Sequence, residues 1–233
     1  IFNHHIVTGH PLFALKLAVT ADGKVAERTD SPSTITGPEA RGDVMRWRRL
    51  FPAIAVGAGT VQADDPRLTA RLPDGEWCPR RIILDGRLSS VPETGTLPRV
   101  YADAFREHTL VVTGPATSTT EVSRSRLLET GVVLRELPLD ESGNFRIADL
   151  RVYLAAQNLT GVYFEGGPMV ARRLIEEKAL DYLFWYESPK RFPNPDALKA
   201  PPLSDFPLKD ARCETLGDDV LTRGHLNFND GDT

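Results

Sequence analysis

The sequence predicts an α/β domain whose central sheet is largely parallel and ends in an antiparallel hairpin. Three observations lead to this prediction. Short apolar runs alternate with helical periods along most of the chain, which is typical of a parallel sheet with crossover helices. No linker long or polar enough to divide the chain interrupts this alternation. Near the C-terminus, the segments 208–216 and 219–226 flank a Gly-Asp-Asp turn and can pair as a hairpin.

The predicted elements follow one another in a regular order. Short apolar runs predict strands over 13–20, 53–57, 80–85, 109–114, 131–137, 161–165 and 180–187. Helices are predicted over 38–51, 119–129, 146–157 and 168–178. The first helix carries apolar residues on one face at spacings of four, three and four: Ala40, Val44, Trp47 and Phe51. Pro38 suits its first turn, and Thr36 with Glu39 predicts a capping box.

Composition is typical of a soluble protein. The 233 residues can bury a sizeable core, and we divide them into an N-terminal extension, 1–10, and a single domain, 11–233. The net charge of −4 gives no reason to expect a nucleic-acid surface or a basic membrane patch. No apolar run approaches the roughly 20 residues that span a bilayer. We therefore expect neither nucleic acid nor membrane as a partner.

The N-terminal residues and the two cysteines favour a cytoplasmic location. The segment 1–13 has no basic n-region and no small-residue cleavage site, so no signal peptide is predicted. Cys78 and Cys213 form no CxxC or Cys/His metal signature, and we expect two free thiols in a reducing compartment. No metal ion is expected.

The stretch YFEGGPMVARRLIEEK ends a predicted strand and opens a helix. Glu165 is followed by Gly166, Gly167 and Pro168. Ligands gather at the carboxyl ends of parallel strands, and a helix N-terminus with glycines suits a phosphate group. A tight turn with a proline in the first helical turn explains the same residues. The local sequence leaves both interpretations open, but it excludes the GxGxxG dinucleotide fingerprint.

A second glycine-containing segment follows the strand 53–57. There Gly59 and Thr60 open a candidate anion site, Asp64 and Asp65 precede Pro66, and Arg71 follows further on. Adjacent acidic residues before a proline are commonly a solvated turn. Their position after a buried strand also suits a role facing a polar, phosphorylated ligand.

Charged residues on the first predicted strand and the first predicted helix also allow two interpretations, a solvated surface or a ligand site. Lys16 lies inside an apolar strand and shares a face with Ala18, so it either snorkels from an edge or reaches a site. Arg41, Met45 and Arg48 recur at i, i+4 and i+7 on the helix. The neighbouring run RWRR is by itself typical of a solvated face.

Taken together, five stretches resemble the reductase domain of riboflavin biosynthesis. They are LKLAVTADGKVA, ITGPEARGDVMRWR, VGAGTVQADDPRLTAR, RIILD and FEGGPMVARRLIEEKALDYL, in the order seen in that family, and they cover about 11–190. The resemblance implies a dihydrofolate-reductase-like mixed sheet flanked by helices, a homodimer, and NADPH as hydride donor. It implies a phosphoribosylamino-pyrimidine substrate whose ribosyl group is reduced to a ribityl chain. The deaminase that usually accompanies this domain is expected on a separate chain.

The resemblance also assigns roles by position. The hypothesised polar centre around the reacting carbon consists of Lys16, Asp64 and Glu165, which we expect at three strand ends. Further substrate contacts match Thr36, Arg48, Leu68 and Arg71, and the two arginines suit the phosphate because guanidinium matches phosphate oxygens. Cofactor contacts match Ala18, Thr34, Thr60, Gly166, Gly167, Pro168, Met169 and Val170.

Two positions depart from the family pattern. Thr34 stands where the family often has a tryptophan, and Pro32 stands where it often has a polar substrate contact. These departures leave room for a dihydrofolate- or pterin-reducing enzyme of the same fold. A catalytically silent nucleotide-binding protein is a further alternative. The sequence leaves open NADPH against NADH, and an aminated against a deaminated pyrimidine.

Overall fold

The computed structural model of the chain describes residues 1–28 and 33–228. Its helices are α1 (Phe2–Thr8), α2 (Pro38–Leu50), α3 (Ala58–Asp64), α4 (Arg99–Ala102), α5 (Glu121–Thr130), α6 (Ile147–Ala156) and α7 (Pro168–Glu176), with 3-10 turns at Arg106–His108 and Leu203–Asp205. Its strands are β1 (Leu12–Thr20), β2 (Lys24–Ala26), β3 (Ala53–Gly57), β4 (Ala70–Leu72), β5 (Gly75–Trp77), β6 (Arg80–Leu84), β7 (Thr109–Thr113), β8 (Val133–Glu136), β9 (Gly161–Phe164), β10 (Tyr182–Ser188), β11 (Leu198–Lys199), β12 (Leu208–Leu216) and β13 (Asp219–Leu226).

The central sheet has nine strands in the order β12-β13-β10-β1-β9-β3-β6-β7-β8. The pairings from β10 through β8 are parallel, whereas β13 pairs antiparallel with β10 and with β12. Two small antiparallel ribbons, β2 with β11 and β4 with β5, stand apart from this sheet. The predicted fold class is confirmed: a mixed, mostly parallel sheet flanked by helices, with a C-terminal hairpin.

Alternation along β1 divides the interior into two cores. Phe13, Leu15, Leu17 and Val19 pack on one face, which α6 and α7 cover. The opposite face carries Leu12 and Ala14, and α2 to α5 cover it. Because successive side chains of a strand point to opposite faces, Lys16 projects into the second layer, beside Ala18. A charged side chain is thus placed on the face of the sheet that α2 covers, next to an apolar core.

The predicted capping box at the start of α2 is wrong. Gly37, not Thr36, is the N-cap, and among the described residues no side chain caps the helix. The N–H group of Gly37 donates instead to Asp219 Oδ2 at 2.6 Å. This bond comes from β13, about 180 residues along the chain, so no local pattern predicts it.

Three short helices, α1, α3 and the four-residue α4, were not predicted from the sequence. The predicted extension 1–10 contains α1, and the segment after β3 forms α3 instead of an open loop. The helices α1 and α3 have seven residues each and α4 has four, which is too short for an apolar period to be recognised. Within residues 1–28 and 33–228, no helix is long and apolar enough to cross a bilayer.

A buried ion pair attaches the segment after α3 to the sheet. The Arg81 side chain is fully buried and donates to Asp103 at 2.7 and 2.9 Å. Its Nη1 also donates to the carbonyl oxygen of Arg67 at 3.2 Å, and Nη2 donates to that of Val100 at 2.9 Å. Arg81 therefore connects β6, α4 and the segment that leads to β4.

Replacing Arg81 by methionine is expected to lower the free energy of unfolding by about 3–5 kcal/mol, because Asp103 loses its charged partner and the carbonyl groups of Arg67 and Val100 each lose a donor. Urea unfolding measures this change. The control is Arg99→Gln, which breaks a solvent-exposed pair with Asp65 at 3.0 Å and is expected to cost less than about 1 kcal/mol. Similar losses in the two variants would contradict a structural role specific to Arg81.

Candidate active site

A cavity of about 650 Å³ opens beside the central sheet between α2, α3 and α7. Its walls include the second half of β1, the end of β3, the segment after β9, and residues of β2 and β11. The strands β1, β9 and β3 are neighbours and run parallel, so their carboxyl ends face the same edge of the sheet. This is the edge at which parallel α/β sheets bind ligands.

Almost all of the residues predicted for the site meet in this cavity. The predicted residues that line it are Lys16, Asp64, Glu165, Thr36, Arg48, Leu68, Ala18, Thr34, Thr60, Gly166, Gly167, Pro168, Met169 and Val170. Arg71 does not line it: this residue is exposed on β4, and its Nη1 donates to Thr69 Oγ1 at 3.2 Å, but its guanidinium still interacts electrostatically with Arg48 and Glu165. Position 32, one of the two departures from the family pattern, lies outside the described residues.

The expected position of the polar centre at three strand ends is only partly right. Glu165 follows β9 directly, but Lys16 lies in the middle of β1 and Asp64 ends α3. The three residues still converge, because β1 continues past Lys16 while α3 returns along the edge of the sheet. Their convergence is a property of the packing and not of the strand ends alone.

Glu165 and Arg48 form a bidentate ion pair in the cavity wall. Arg48 Nε donates to Oε1 at 2.5 Å, and Nη2 donates to Oε2 at 2.8 Å. The side chain of Arg48 is only 12% exposed, and that of Glu165 is 10% exposed. Burial raises the pKa of the Glu165 carboxyl, but the Arg48 guanidinium outweighs it, so the net pKa is lowered. Glu165 is consequently held as a carboxylate with a fixed orientation.

Lys16 and Asp64 have pKa values displaced toward each other. Burial lowers the pKa of the Lys16 ammonium, although the carboxylates of Glu165 and Asp64 oppose the shift. Burial raises the pKa of Asp64, and Lys16 opposes that shift. An acid and a base whose pKa values are shifted by burial within one cavity are a frequent feature of catalytic sites.

The segment after α3 forms one wall of the cavity. Leu68 is buried and has a φ of 52°, an uncommon conformation for a residue with a side chain. The carbonyl oxygen of Thr69 accepts a hydrogen bond from Arg48 Nη1 at 3.0 Å. Arg48 thus joins this segment to Glu165, while Arg81 holds the same segment from the other side through Arg67.

The glycine pair after Glu165 has two separate structural roles. A Cβ on Gly166 would lie 2.5 Å from the Cβ of Val170, so the close packing of the first turn of α7 against this position requires glycine there. A Cβ on Gly167 would meet nothing within 4 Å. Gly167 is the N-cap of α7, and Pro168 follows in the first turn. The unpaired N–H groups of this helix start therefore lie at a sterically open part of the cavity wall.

One face of α2 also lines the cavity. Of its residues, only Arg48 was predicted to belong to the site. Arg41, Val44 and Met45 line it together with Arg48. The spacing of Arg41, Met45 and Arg48 at i, i+4 and i+7 was the available signal, but the arginine-rich composition favoured a solvated face. Only the position of α2 above the sheet identifies this face as a wall.

Fold and site together define the class: an α/β domain with a candidate ligand cavity at the carboxyl edge of a parallel sheet, beside a helix N-terminus. Within that class the chain belongs to the RibD C-terminal domain family, whose profile matches residues 11–222. Riboflavin biosynthesis protein RibD of Bacillus amyloliquefaciens is 35% identical over 189 residues, which are 81% of this chain and 48% of that protein. RibD of Aquifex aeolicus is 32% identical over 189 residues, 81% of this chain and 49% of that protein.

Solved structures show the same fold. A Thermotoga maritima diaminohydroxyphosphoribosylaminopyrimidine deaminase/5-amino-6-(5-phosphoribosylamino)uracil reductase, 26% identical, superposes with a TM-score of 0.73 over 97% of this chain and 59% of its own. The Saccharomyces cerevisiae riboflavin biosynthesis reductase Rib7, 21% identical, superposes with a TM-score of 0.71 over 94% of this chain and 91% of its own. The chain spans about half the length of the curated RibD relatives it matches.

Proposed function

We propose that this chain is the reductase of riboflavin biosynthesis and reduces the ribosyl group of a phosphoribosylamino-pyrimidine to the ribityl form, with NADPH as hydride donor. The observation that carries the proposal is the meeting of Lys16, Asp64 and Glu165 in one cavity with the N-terminus of α7. Membership of the RibD C-terminal domain family supports it. A homodimer, a separate deaminase and a cytoplasmic location belong to the same proposal.

The residues beside α7 fit a nicotinamide cofactor. The open position of Gly167 and the helix N-terminus behind it suit a phosphate group. In the proposal, Gly166, Gly167, Pro168, Met169 and Val170 hold the cofactor phosphates, with further contacts from Ala18, Thr34 and Thr60. When bound, the cofactor supplies a hydride for the sugar carbon.

The polar residues of the cavity bind and orient the sugar. Lys16 Nζ donates a hydrogen bond to a sugar oxygen and so favours the ring-opened form of the substrate. Glu165, whose orientation Arg48 fixes, accepts hydrogen bonds from the substrate, and Leu68 and Thr36 complete the wall. Burial raises the pKa of Asp64, and this side chain lies close enough to Lys16 for the two to interact electrostatically. The chain thus mainly positions donor and acceptor.

A turnover assay tests the proposed function. Each of the aminated and deaminated phosphoribosylamino-pyrimidines is offered with NADPH and with NADH, and oxidation of the cofactor is followed. We expect turnover with one pyrimidine and a preference for NADPH. Turnover of dihydrofolate or another pterin instead would assign the chain to a different reductase of the same fold. If the folded protein fails to bind NADPH in a titration, the chain is a catalytically inactive relative of the reductases.

Replacing Gly167 by aspartate is expected to weaken NADPH binding by at least about tenfold, because a carboxylate would repel the cofactor phosphates. The substitution has room, since a Cβ there meets nothing within 4 Å. Aspartate is also a favourable N-cap, so the melting temperature should not fall. NADPH titration and thermal unfolding measure the two quantities.

The matched control is Gly167→Asn, which has the size and capping ability of aspartate without its charge. We expect its NADPH affinity to stay within a few-fold of the unmodified protein. If asparagine and aspartate weakened binding equally, bulk and not charge would be responsible, and the assignment of this position to a phosphate would be wrong.

A further inference from the structure

A buried hydrogen bond attaches α2 to β10 outside the cavity. The hydroxyl of Tyr186, which is fully buried on β10, donates to Asp43 Oδ2 on α2 at 2.7 Å. Trp47 Nε1, one turn further along the helix, donates to the same oxygen at 3.1 Å. Neither Asp43 nor Tyr186 is among the described residues that line the cavity, and neither has a role in the proposed function. Their bond joins residues 143 positions apart in the chain, so local patterns do not predict it.

The helix α2 has a second polar attachment on the other side of its apolar stripe. Ala40 and Val44 form the buried part of that stripe and pack on the sheet. Because successive residues of a helix are rotated by about 100°, Asp43 lies roughly 100° to one side of Val44, and Arg48 lies roughly 40° to the other. Arg48 is bonded at two points to Glu165, which follows β9. The helix is therefore held to β10 on one side and to the end of β9 on the other.

These two attachments fix the rotation of α2 about its own axis. Hydrogen bonds are directional, so satisfied polar contacts specify one arrangement more sharply than apolar packing does. A side-chain end at about 5–6 Å from the helix axis moves by about 1 Å when the helix rotates by about 10°. A displacement of about 1 Å can cost an active site about 100-fold in rate. Loss of the bond to β10 would thus be felt at Arg48.

Tyr163 connects the two attachments electrostatically. This residue is fully buried on β9, two positions before Glu165. Its hydroxyl has no hydrogen-bond partner of normal geometry among the described residues, but it interacts electrostatically with Tyr186, Glu165 and Arg48. Burial raises the pKa of both tyrosines, so their hydroxyls stay protonated and Tyr186 remains a donor to Asp43. The two attachments of α2 therefore belong to one buried polar group.

We propose that Tyr186 and Asp43 are positioning residues for catalysis: their bond fixes the rotation of α2 and so holds Arg48 in bidentate contact with Glu165. That contact orients the carboxylate that accepts hydrogen bonds from the substrate. The effect on turnover rests on the proposed function, whereas the effect on the pair of Arg48 and Glu165 does not. Removing the Tyr186 hydroxyl should therefore weaken an ion pair with which this hydroxyl forms no bond.

The kinetic test removes only the hydroxyl group. In Tyr186→Phe, kcat for the pyrimidine should fall at least about tenfold, and the affinity for NADPH should change less than about twofold, because the start of α7 is untouched. The protein should stay folded, since phenylalanine fills the same space and Asp43 keeps the hydrogen bond from Trp47. Asp43→Ala should resemble Tyr186→Phe, whereas Asp43→Asn keeps an acceptor oxygen and should retain kcat within about threefold.

A second kinetic comparison separates positioning from a merely structural role. In the Glu165→Gln background, adding Tyr186→Phe should lower kcat by less than about twofold, because the pair that the hydroxyl positions is already broken. A merely structural role would give the same factor in both backgrounds. The matched control is Tyr182→Phe: Tyr182 is half-buried on the same face of β10, where its ring contacts Phe184 and His225. It should leave kcat unchanged.

A measurement without substrate separates this inference from the proposed function. The Nε proton of Arg48 is bonded to Glu165 Oε1 at 2.5 Å, and its exchange with water can be followed by NMR, with the signal assigned by its loss in Arg48→Lys. We expect exchange to be at least about tenfold faster in Tyr186→Phe and unchanged in Tyr182→Phe. That result supports the inference even if no pyrimidine is turned over, in which case the proposed function alone fails. Equal exchange rates in Tyr186→Phe and the unmodified protein, or an equal loss of kcat with and without Glu165, would overturn it.

Discussion

Replacing Lys16 by methionine is expected to reduce kcat about 10²- to 10⁴-fold, the range associated with loss of a positioned proton-transferring or hydrogen-bonding group, while the melting temperature at neutral pH stays the same or rises. The loss of activity follows from the removal of the ammonium between Asp64 and Glu165. Methionine keeps the length of the side chain and suits the apolar face of β1. Steady-state kinetics and thermal unfolding measure the two effects.

The stability effect follows from the lowered pKa of Lys16. Because the folded protein holds this proton less tightly than the unfolded chain, protonation costs folding free energy below the lowered value. The cost declines as the pH rises toward the ordinary lysine pKa of about 10.4 and is absent above it. The stability advantage of Lys16→Met should therefore shrink between neutral pH and about pH 10.

The control for this prediction is Lys178→Met, since Lys178 is an exposed residue just after α7. It should change neither kcat nor the pH dependence of stability. Near-normal turnover in both Lys16→Met and Asp64→Asn would show that the polar centre has been assigned wrongly. A large, pH-independent loss of stability in Lys16→Met would show that the ammonium is structural.

Replacing Glu165 by glutamine is expected to lower kcat/KM by at least about 100-fold and the free energy of unfolding by about 3 kcal/mol, because Arg48 loses its charged partner in a largely buried site. The affinity for NADPH should change less than about twofold, since α7 and its glycines are untouched. The kinetic effect separates Glu165 from Gly167, whose replacement by aspartate acts on the cofactor.

The pH dependence of this variant has a definite sign. The net pKa of Glu165 is lowered, so its pairing with Arg48 stabilises the fold fully above the ordinary glutamate pKa of about 4.3. That stabilisation is lost as the pH falls through the lowered value. Urea unfolding should show the difference between Glu165→Gln and the unmodified protein shrinking below about pH 4.

An exposed ion pair provides the comparison for Glu165. Glu214 lies 3.7 Å from Arg223 and its side chain is 54% exposed. We expect Glu214→Gln to change the free energy of unfolding by less than about 1 kcal/mol and to leave turnover intact. If Glu165→Gln were as mild as Glu214→Gln, the buried pair would have no part in holding the site together.

The strands of the central sheet and the longer helices were predictable because they depend on local patterns, whereas the two- and three-residue strands of the small ribbons, β2, β4, β5 and β11, were not predicted. The alternation of β1 placed Lys16 and Ala18 on one face, and the helical period of α2 placed Arg41, Met45 and Arg48 on another. The short helix α3 was not predictable, since seven residues contain less than two full helical periods. The N-cap of α2 was not predictable either, because its hydrogen bond comes from Asp219 in a distant strand.

By itself the sequence determined the order of strands and helices, the family resemblance, and most of the residues that meet in the cavity. These features follow from the spacing of residues and the order of motifs along the chain, so they can be recognised without the tertiary structure. Only the tertiary structure decided which charges are paired. It places Arg48 against Glu165, leaves Arg71 outside the cavity, and brings Arg41 to the rim. The physical reason is that the direction of a charged side chain depends on its burial and on partners that are distant in the sequence. Local sequence patterns contain no information about such partners.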